Sequence, residues 1–345
     1  MKIIQIGVGG FGGCWVKVLK ENPEVKVVGM VDVSEEALAS ACAGAGYSKD
    51  ICFRDLKEAI ARTKPDAIVS VTPPARHRAD VVTALKAGLH VISEKPMADT
   101  LANCKAMLKA AYAAKKVYVV SQNYRYSPPT WTMANLIQSG RIGKIGQVKV
   151  DFFLGMDFGG GFRHKMDYPL IVDMSIHHFD LIRFITGLDA VSVRGAAWNP
   201  PWSNYRGDCS STVLFEMTNG SRILYNASWC AKGQFDDWNG SWQIEGDKGA
   251  IVYREGKIYC YDVPRLYKVE KKEEIALQEP PKQGQAFVLD DFLTAVRTGK
   301  RARTDVYDNI RSISMVFATV KAMKSGKAVK ILDREISAIL KKVKA

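Results

Sequence analysis

The sequence predicts an α/β protein whose N-terminal domain is built on a parallel sheet and whose second domain is α+β. Three observations predict it. Short apolar runs bounded by turn residues alternate with helical stretches through about residue 122. After Gln122 that alternation stops, and from about residue 190 strands with period-two patterning follow one another. The length, 345 residues, exceeds what one ordinary core holds.

The first strand covers Lys2–Ile6 and runs into Gly7-Val8-Gly9-Gly10-Phe11-Gly12, followed by a helix to about Lys20. A GxGxxG between a strand and a helix is the context of a dinucleotide fingerprint. Its glycines permit a tight turn and close approach of a pyrophosphate, and the helix N-terminus adds partial positive charge. Gly7, Gly9, Gly10, Phe11 and Gly12 are therefore candidate cofactor residues. The next apolar run, Val25–Val31, ends at Asp32. A carboxylate there accepts hydrogen bonds from the adenosine ribose and repels a 2′-phosphate. With Val33 next and no Arg or Lys adjacent in the chain, NAD is expected in preference to NADP. Asp32 could also be an N-cap, but Ser34 is better placed to cap the helix expected at Glu35–Ala45.

Alternation continues with a helix at Asp55–Arg62, a strand at Ala67–Val71, the loop Thr72-Pro73-Pro74-Ala75-Arg76-His77, and a helix from about Arg78 to Ala87. A strand at 89–93 ends in Ser93-Glu94-Lys95-Pro96; a helix at Thr100–Ala114 and a strand at Val117–Ser121 follow. Right-handed crossovers join such strands into a parallel sheet, so residues 1–122 form a Rossmann domain. Ligands bind beyond the carboxyl ends of its strands, where Lys95 sits.

Residues 123–345 make the second domain. Helices are expected at Ser127–Ser139, Pro169–Thr186, 285–298 and 304–324, with strands at Gln147–Leu154 and near 190–197, 211–217, 221–229, 240–246, 249–254 and 257–262. On the helix at 169–186, Asp173, His177 and Asp180 fall at i, i+4 and i+7, on one face. A carboxylate beside an imidazole can hold one tautomer and stabilise the protonated form. His164 and His178 are near in sequence, but no ligand spacing matches a metal site, and none is expected.

Composition narrows the classes. A hydrophobic content of 47% and charged content of 25% suit a globular protein. The net charge of +13 comes without an aromatic-interleaved basic patch, so nucleic acid is not expected as a partner. The seven cysteines contain no CxxC and suggest reduced, mostly buried thiols in the cytoplasm. A strand starting at Lys2 leaves no room for a signal peptide, and no apolar run is long enough to span a membrane.

The motifs GVGGFG, Asp32, TPPARH, SEKPMA, NYRYSP, GRIG and DMSIHHFD, in this order, resemble the Gfo/Idh/MocA (glucose–fructose oxidoreductase / inositol dehydrogenase) family over essentially the whole chain. The resemblance implies a Rossmann domain followed by a domain with a large, mostly antiparallel open-faced sheet, through which such chains form homodimers or homotetramers. It implies that Lys95 and His177 face the nicotinamide and substrate with Asp173 beside them, and that the Lys95-Pro96 bond is cis. Thr72, Pro73, His77 and Glu94 match segments near the cofactor, and Asn123 and Arg125 match a substrate-contacting strand end. The glycine-rich, basic stretch Gly159–Lys165 departs from the family pattern, and Arg163 or Lys165 is a candidate substrate contact.

The expected activity is NAD-dependent hydride transfer at a hydroxyl-bearing carbon of a sugar, inositol or derivative. His177 is the expected base and Lys95 the group that holds the hydroxyl, with exchange of these roles open. Two alternatives are a redox-assisted glycoside-cleaving enzyme with tightly held NAD and a non-enzymatic sensor on the same fold. Cleavage of an aryl glycoside without net NADH would identify the first, whereas intact Lys95, Asp173 and His177 speak against the second.

Overall fold

Why the first strands become a sheet follows from their burial. In the computed structural model, which describes residues 1–233 and 235–344, Ile3, Ile4, Ala67, Ile68, Val91 and Ile92 are all fully buried. Strands covered on both faces suit parallel pairing. The six strands are β1 (Lys2–Ile6), β2 (Lys26–Val31), β3 (Cys52–Phe53), β4 (Ala67–Ser70), β5 (His90–Glu94) and β6 (Tyr118–Ser121). Their order is β3-β2-β1-β4-β5-β6, all parallel. The chain order reverses between β1 and β4, where ligands of such sheets bind.

The intervening helices are α1 (Gly12–Glu21), α2 (Glu35–Ala45), α3 (Leu56–Thr63), α4 (Pro74–Lys86) and α5 (Leu101–Ala114). Side chains before their first turns fix three of them. Ser34 Oγ accepts from Ala37 N–H at 3.1 Å, Asp55 Oδ1 from Glu58 N–H at 2.9 Å, and Thr100 Oγ1 from Asn103 N–H at 3.2 Å. Helix α4 starts at Pro74, four residues before the expected Arg78, because proline suits the first helical turn.

The second unit contains α6 (Pro128–Gln138), β7 (Ile145–Phe153), a π-helical turn at Leu170–Met174 continuing into α7 (Ser175–Thr186), and strands β8 (Ala190–Trp198), β9 (Ser210–Met217), β10 (Arg222–Ser228), β11 (Ser241–Gly246), β12 (Gly249–Arg254), β13 (Lys257–Asp262) and β14 (Lys271–Ile275). Then come α8 (Gly284–Thr298), α9 (Val306–Ser325), β15 (Val329–Lys330) and α10 (Arg334–Lys344). The second sheet has nine strands in the order β14-β13-β12-β11-β7-β10-β9-β8-β15, antiparallel apart from β7 with β10. Period-two alternation gives it unlike faces: Ile223, Tyr225 and Ala227 are buried, whereas Leu224 is 40% exposed. Helix α7 covers the buried face, with the Phe179 ring edge-on to Phe215 and Tyr225.

By compactness the chain divides differently from 1–122 and 123–345. The compact units are Met1–Asn123 with Gln285–Ile310 and the chain from Glu335, and Tyr124–Gly284 with Arg311–Arg334. Side chains bind α8 to the first unit: Asn22 Nδ2 donates to Asp290 Oδ1 at 3.0 Å, and the Phe292 and His90 rings meet edge-on. Among the described residues no helix is long and apolar enough to cross a membrane.

Candidate functional site

The first unit concentrates its candidate residues at the carboxyl ends of β1, β2 and β4. Gly7 has φ +79°, and a Cβ there would lie 2.8 Å from the Val71 carbonyl carbon. A Cβ on Gly12 would lie 2.4 Å from the Gly7 oxygen. Neither position admits a side chain. At Gly10 and Gly13 a Cβ would meet nothing within 4 Å, which leaves open space over the loop. Helix α1 starts with no side-chain cap and no acidic residue in its first turn, so its N-terminal dipole is uncompensated. Phe11, just before it, is 55% exposed.

Asp32 is fixed from two sides. Its Oδ2 accepts from Val8 N–H at 2.9 Å and its Oδ1 from Ser34 N–H at 3.0 Å. A cavity of about 710 Å³ opens beside it, lined by Gly7, Gly9, Asp32, Thr72, Pro73 and Arg54 among others. Thr72 Oγ1 donates to the buried Asp80 carboxylate at 2.8 Å, which holds the loop after β4. This cradle fits the adenosine and pyrophosphate of a dinucleotide: glycines without room for Cβ, an open helix N-terminus, and a carboxylate at the end of β2. No Arg or Lys adjoins Asp32 in the chain, but a cation reaches it through the fold. The fold brings Arg54 to the same cavity, with its Nη1 2.7 Å from Glu35 Oε1.

Lys95 follows β5 and is half-buried, and the Lys95-Pro96 peptide is cis. Two neighbours expected to touch a cofactor are instead internal braces. Glu94 is 5% exposed, with Oε1 accepting from the Trp15 indole at 2.7 Å and Oε2 from Lys95 N–H at 3.0 Å. Burial raises its pKa, against the Trp15 hydrogen bond and the Lys95 charge. His77 is fully buried, its Nδ1 lying 3.1 Å from the Pro96 oxygen and 3.2 Å from the Met97 oxygen. Facing two carbonyls, Nδ1 must carry the proton. Burial lowers its pKa, so the ring is neutral and ties α4 to the segment after Lys95.

In the second unit the π turn changes the expected geometry. Ser175 N–H reaches the Leu170 carbonyl, five residues back. Asp173 therefore sits on the π turn, whereas His177 and Asp180 sit on the α-helical part. Asp173 Oδ2 accepts from Arg163 Nε at 2.5 Å, and the Arg163 guanidinium lies over the Phe158 and Phe162 rings at 4.6 and 4.7 Å. Asp180 is 1% exposed and pairs with Arg125, two contacts at 2.6 Å; Ser312 Oγ adds a third at 2.7 Å. Arg125 is therefore a buried cation braced by Asp180. Asn123, half-buried, opens the 3₁₀ turn Asn123–Tyr126.

His177 stacks face-on against Tyr124, ring centroids 3.9 Å apart at 19°. Burial, then Asp173 and Asp237, push the Tyr124 phenol up to about 12. Sequence reasoning missed this aromatic partner. Its neighbour His178 is locked: Nδ1 lies 2.9 Å from Tyr225 Oη and Nε2 3.1 Å from the Trp238 oxygen. Burial pushes its pKa down to about 4. The neutral ring donates from Nε2 to the Trp238 carbonyl and accepts at Nδ1 from the Tyr225 hydroxyl. Among the described residues no group of three His, Cys, Asp or Glu side chains could hold a metal ion.

Comparison with known proteins places this geometry. Residues 1–122 match the NAD-binding Rossmann fold of the Gfo/Idh/MocA oxidoreductase family, and residues 134–331 match its C-terminal alpha/beta domain. The chain belongs to the Gfo/Idh/MocA oxidoreductase family. It is 24% identical to a D-apiose dehydrogenase from Paraburkholderia graminis, over 96% of this chain and 90% of that one. It is 25% identical to an inositol 2-dehydrogenase from Rhizobium meliloti, over 94% and 98%. An oxidoreductase from Agrobacterium radiobacter, solved with NAD+, L-tartaric acid and magnesium, superimposes with a TM-score of 0.85 at 21% identity, over 96% of this chain and 98% of that one. That last likeness speaks for the fold.

Within this oxidoreductase family frame one further residue stands out in the first unit. Gln5 is a fully buried amide among the apolar Ile3, Ile4 and Ile6 of strand β1. Its polarity in an apolar run was the only signal available in the sequence.

Proposed function

We propose that this protein is an NAD-dependent dehydrogenase acting on a CH–OH group of a sugar, inositol or related polyol. The observation that carries the reading is the shared sheet of the first unit. It holds the glycine loop at β1, Asp32 after β2 and Lys95 after β5. The D-apiose and inositol 2-dehydrogenase relatives support the substrate class.

In this reading the N–H groups at the start of α1 orient the pyrophosphate, and Asp32 accepts from the ribose hydroxyls. When bound, the nicotinamide supplies the hydride acceptor. Lys95 offsets negative charge that develops on the substrate oxygen. An imidazole nitrogen of His177 takes the hydroxyl proton, its ring plane held by Tyr124. Arg163, braced by Asp173, receives a substrate oxygen in the same reading. NAD is the preferred cofactor because Asp32 repels a 2′-phosphate and Glu35 neutralises Arg54. The open face of the nine-stranded sheet serves assembly into a dimer or tetramer, which light scattering would report.

The test is a screen of sugars, inositols and sugar acids for reduction of NAD and NADP. NADH formation with members of this panel is expected. Absence of reduction with every member and either cofactor would contradict the reading. Cleavage of an aryl glycoside without net NADH would replace it with redox-assisted cleavage.

A further inference from the structure

Strand β1 carries a residue that neither patterning nor core packing explains. Gln5 is fully buried, one position before Ile6 and two before the glycine loop. Its side-chain nitrogen lies 3.0 Å from the Gly7 oxygen and 2.8 Å from the Gly12 oxygen. Both neighbours are acceptors only, so the contacting atom is Nε2 and each of its two hydrogens has one carbonyl. The amide oxygen, Oε1, is buried with no hydrogen-bond partner. A buried carbonyl without a donor opposes folding. The amide is thus retained for its nitrogen end.

Those two carbonyls mark the first and last glycines of the fingerprint. Gly7 leaves the strand with φ +79°, and Gly12 opens helix α1. The close approach of Gly12 to the Gly7 oxygen, 2.4 Å for a Cβ that is not there, brings both oxygens within reach of one amide. An amide that draws these oxygens inward fixes the peptide planes on either side of the turn. With the planes fixed, the Val8 N–H is kept on Asp32 Oδ2 and the Gly13 N–H on the Gly10 oxygen, so the ends of the loop are held while Gly9, Gly10 and Phe11 stand between them, ahead of the N-terminus of α1. Preorganised donors bind an anion more tightly than donors that must first be ordered.

We propose that Gln5 is a positioning residue for the cofactor: its side-chain amide staples the two ends of the glycine loop and sets it to receive a pyrophosphate. The inference rests on the dinucleotide-binding reading of this unit. It concerns the diphosphate group, not the adenosine or the nicotinamide.

Calorimetric binding of NADH, ADP-ribose and adenosine to the full chain separates these possibilities. Gln5→Met keeps side-chain length and removes both donors. It should weaken NADH and ADP-ribose by the same factor, about tenfold, and leave adenosine unchanged. The melting temperature should fall only modestly, because loss of the unpartnered amide oxygen partly offsets the two carbonyls left without their donor. Gln5→Glu places an ionised acceptor opposite two carbonyls. Its ADP-ribose affinity should recover relative to the parent as pH is lowered, when protonation restores one donor. Should Gln5→Met fail to fold, this pH-dependent recovery alone decides the matter. Parent-like NADH affinity in a folded Gln5→Met protein would overturn the proposal. So would an equal loss of adenosine binding, or a Gln5→Glu profile parallel to the parent's. Failure of the parent itself to bind NADH and ADP-ribose would overturn the dinucleotide reading and the staple with it, a distinct outcome visible before any substitution.

Discussion

The glycine loop of the first unit and the Leu170–Thr186 helix of the second place their chemistry by opposite means. In the loop the reactive surface is backbone, and side chains are missing at Gly7 and Gly12 because a Cβ would collide with the Val71 and Gly7 carbonyls. On the helix every candidate is a side chain, and the three ionisable groups expected on one face each meet a residue from another segment. Asp173 holds Arg163, His177 stacks on Tyr124, and Asp180 holds Arg125. The loop's function is thus encoded by local sterics. The helix's function depends on residues brought in from distant segments.

Substitutions on the helix should expose that separation first. His177→Asn should reduce kcat/KM for polyol oxidation by on the order of 10²–10⁴ and abolish its rise with pH, with the melting temperature little changed. Arg125→Met should act on stability instead. Stranding the buried Asp180 carboxylate costs about 3–5 kcal/mol in urea unfolding, and adding Asp180→Leu should recover much of it. If Arg125→Met folds with parent stability but binds substrate poorly, the structural assignment of that pair is wrong.

His178 provides a pH-dependent contrast with its neighbour. Unfolded, its imidazole takes a proton near the ordinary value of 6.5, whereas in the fold this waits until about 4. Between those values the unfolded chain binds more protons, so stability falls as pH is lowered through the window, by about 3 kcal/mol. Urea midpoints of the parent and His178→Phe across this range should show that contribution in the parent only. On the loop, Gly12→Val should weaken NADH on the order of 100-fold, since the added atoms can fit only by moving backbone. The smallest effect is expected at the cavity's rim. Glu35→Gln releases Arg54 from an exposed ion pair, and the NADPH to NADH affinity ratio should rise only about fivefold. An unchanged ratio would remove Arg54 from cofactor selection.

Much of the first unit was readable from the chain because its signals are local. The GVGGFG turn, Asp32 at a strand end and Lys95 before proline each depend on a few neighbouring residues. Strand β3, two residues long, is too short to show a period, and the polar run Lys271–Ile275 hides an edge strand. Arg54 escaped notice because it reaches the Asp32 cavity through the fold, not through sequence. On the helix, charge and spacing suggested a cluster, but they gave no sign of the π turn at Leu170–Met174. Arg125 lies 55 residues from its partner, and nothing in NYRYSP signals whether that arginine faces solvent, substrate or Asp180. Gln5 stood in view as a polar residue between Ile4 and Ile6. Its meaning required the positions of two carbonyl oxygens.

Under the proposed function, Lys95 works in an NAD-dependent oxidation of a carbinol carbon. The direct measurement is NADH formation by the parent and by Lys95→Ala with the best substrate of the polyol panel, alongside NADH binding to both proteins. The account predicts that Lys95→Ala folds, binds NADH within a few-fold of the parent, and loses kcat by on the order of 10²–10⁴. Near-parent kcat/KM in a folded Lys95→Ala protein would contradict it and make Lys95 a surface residue at the end of β5.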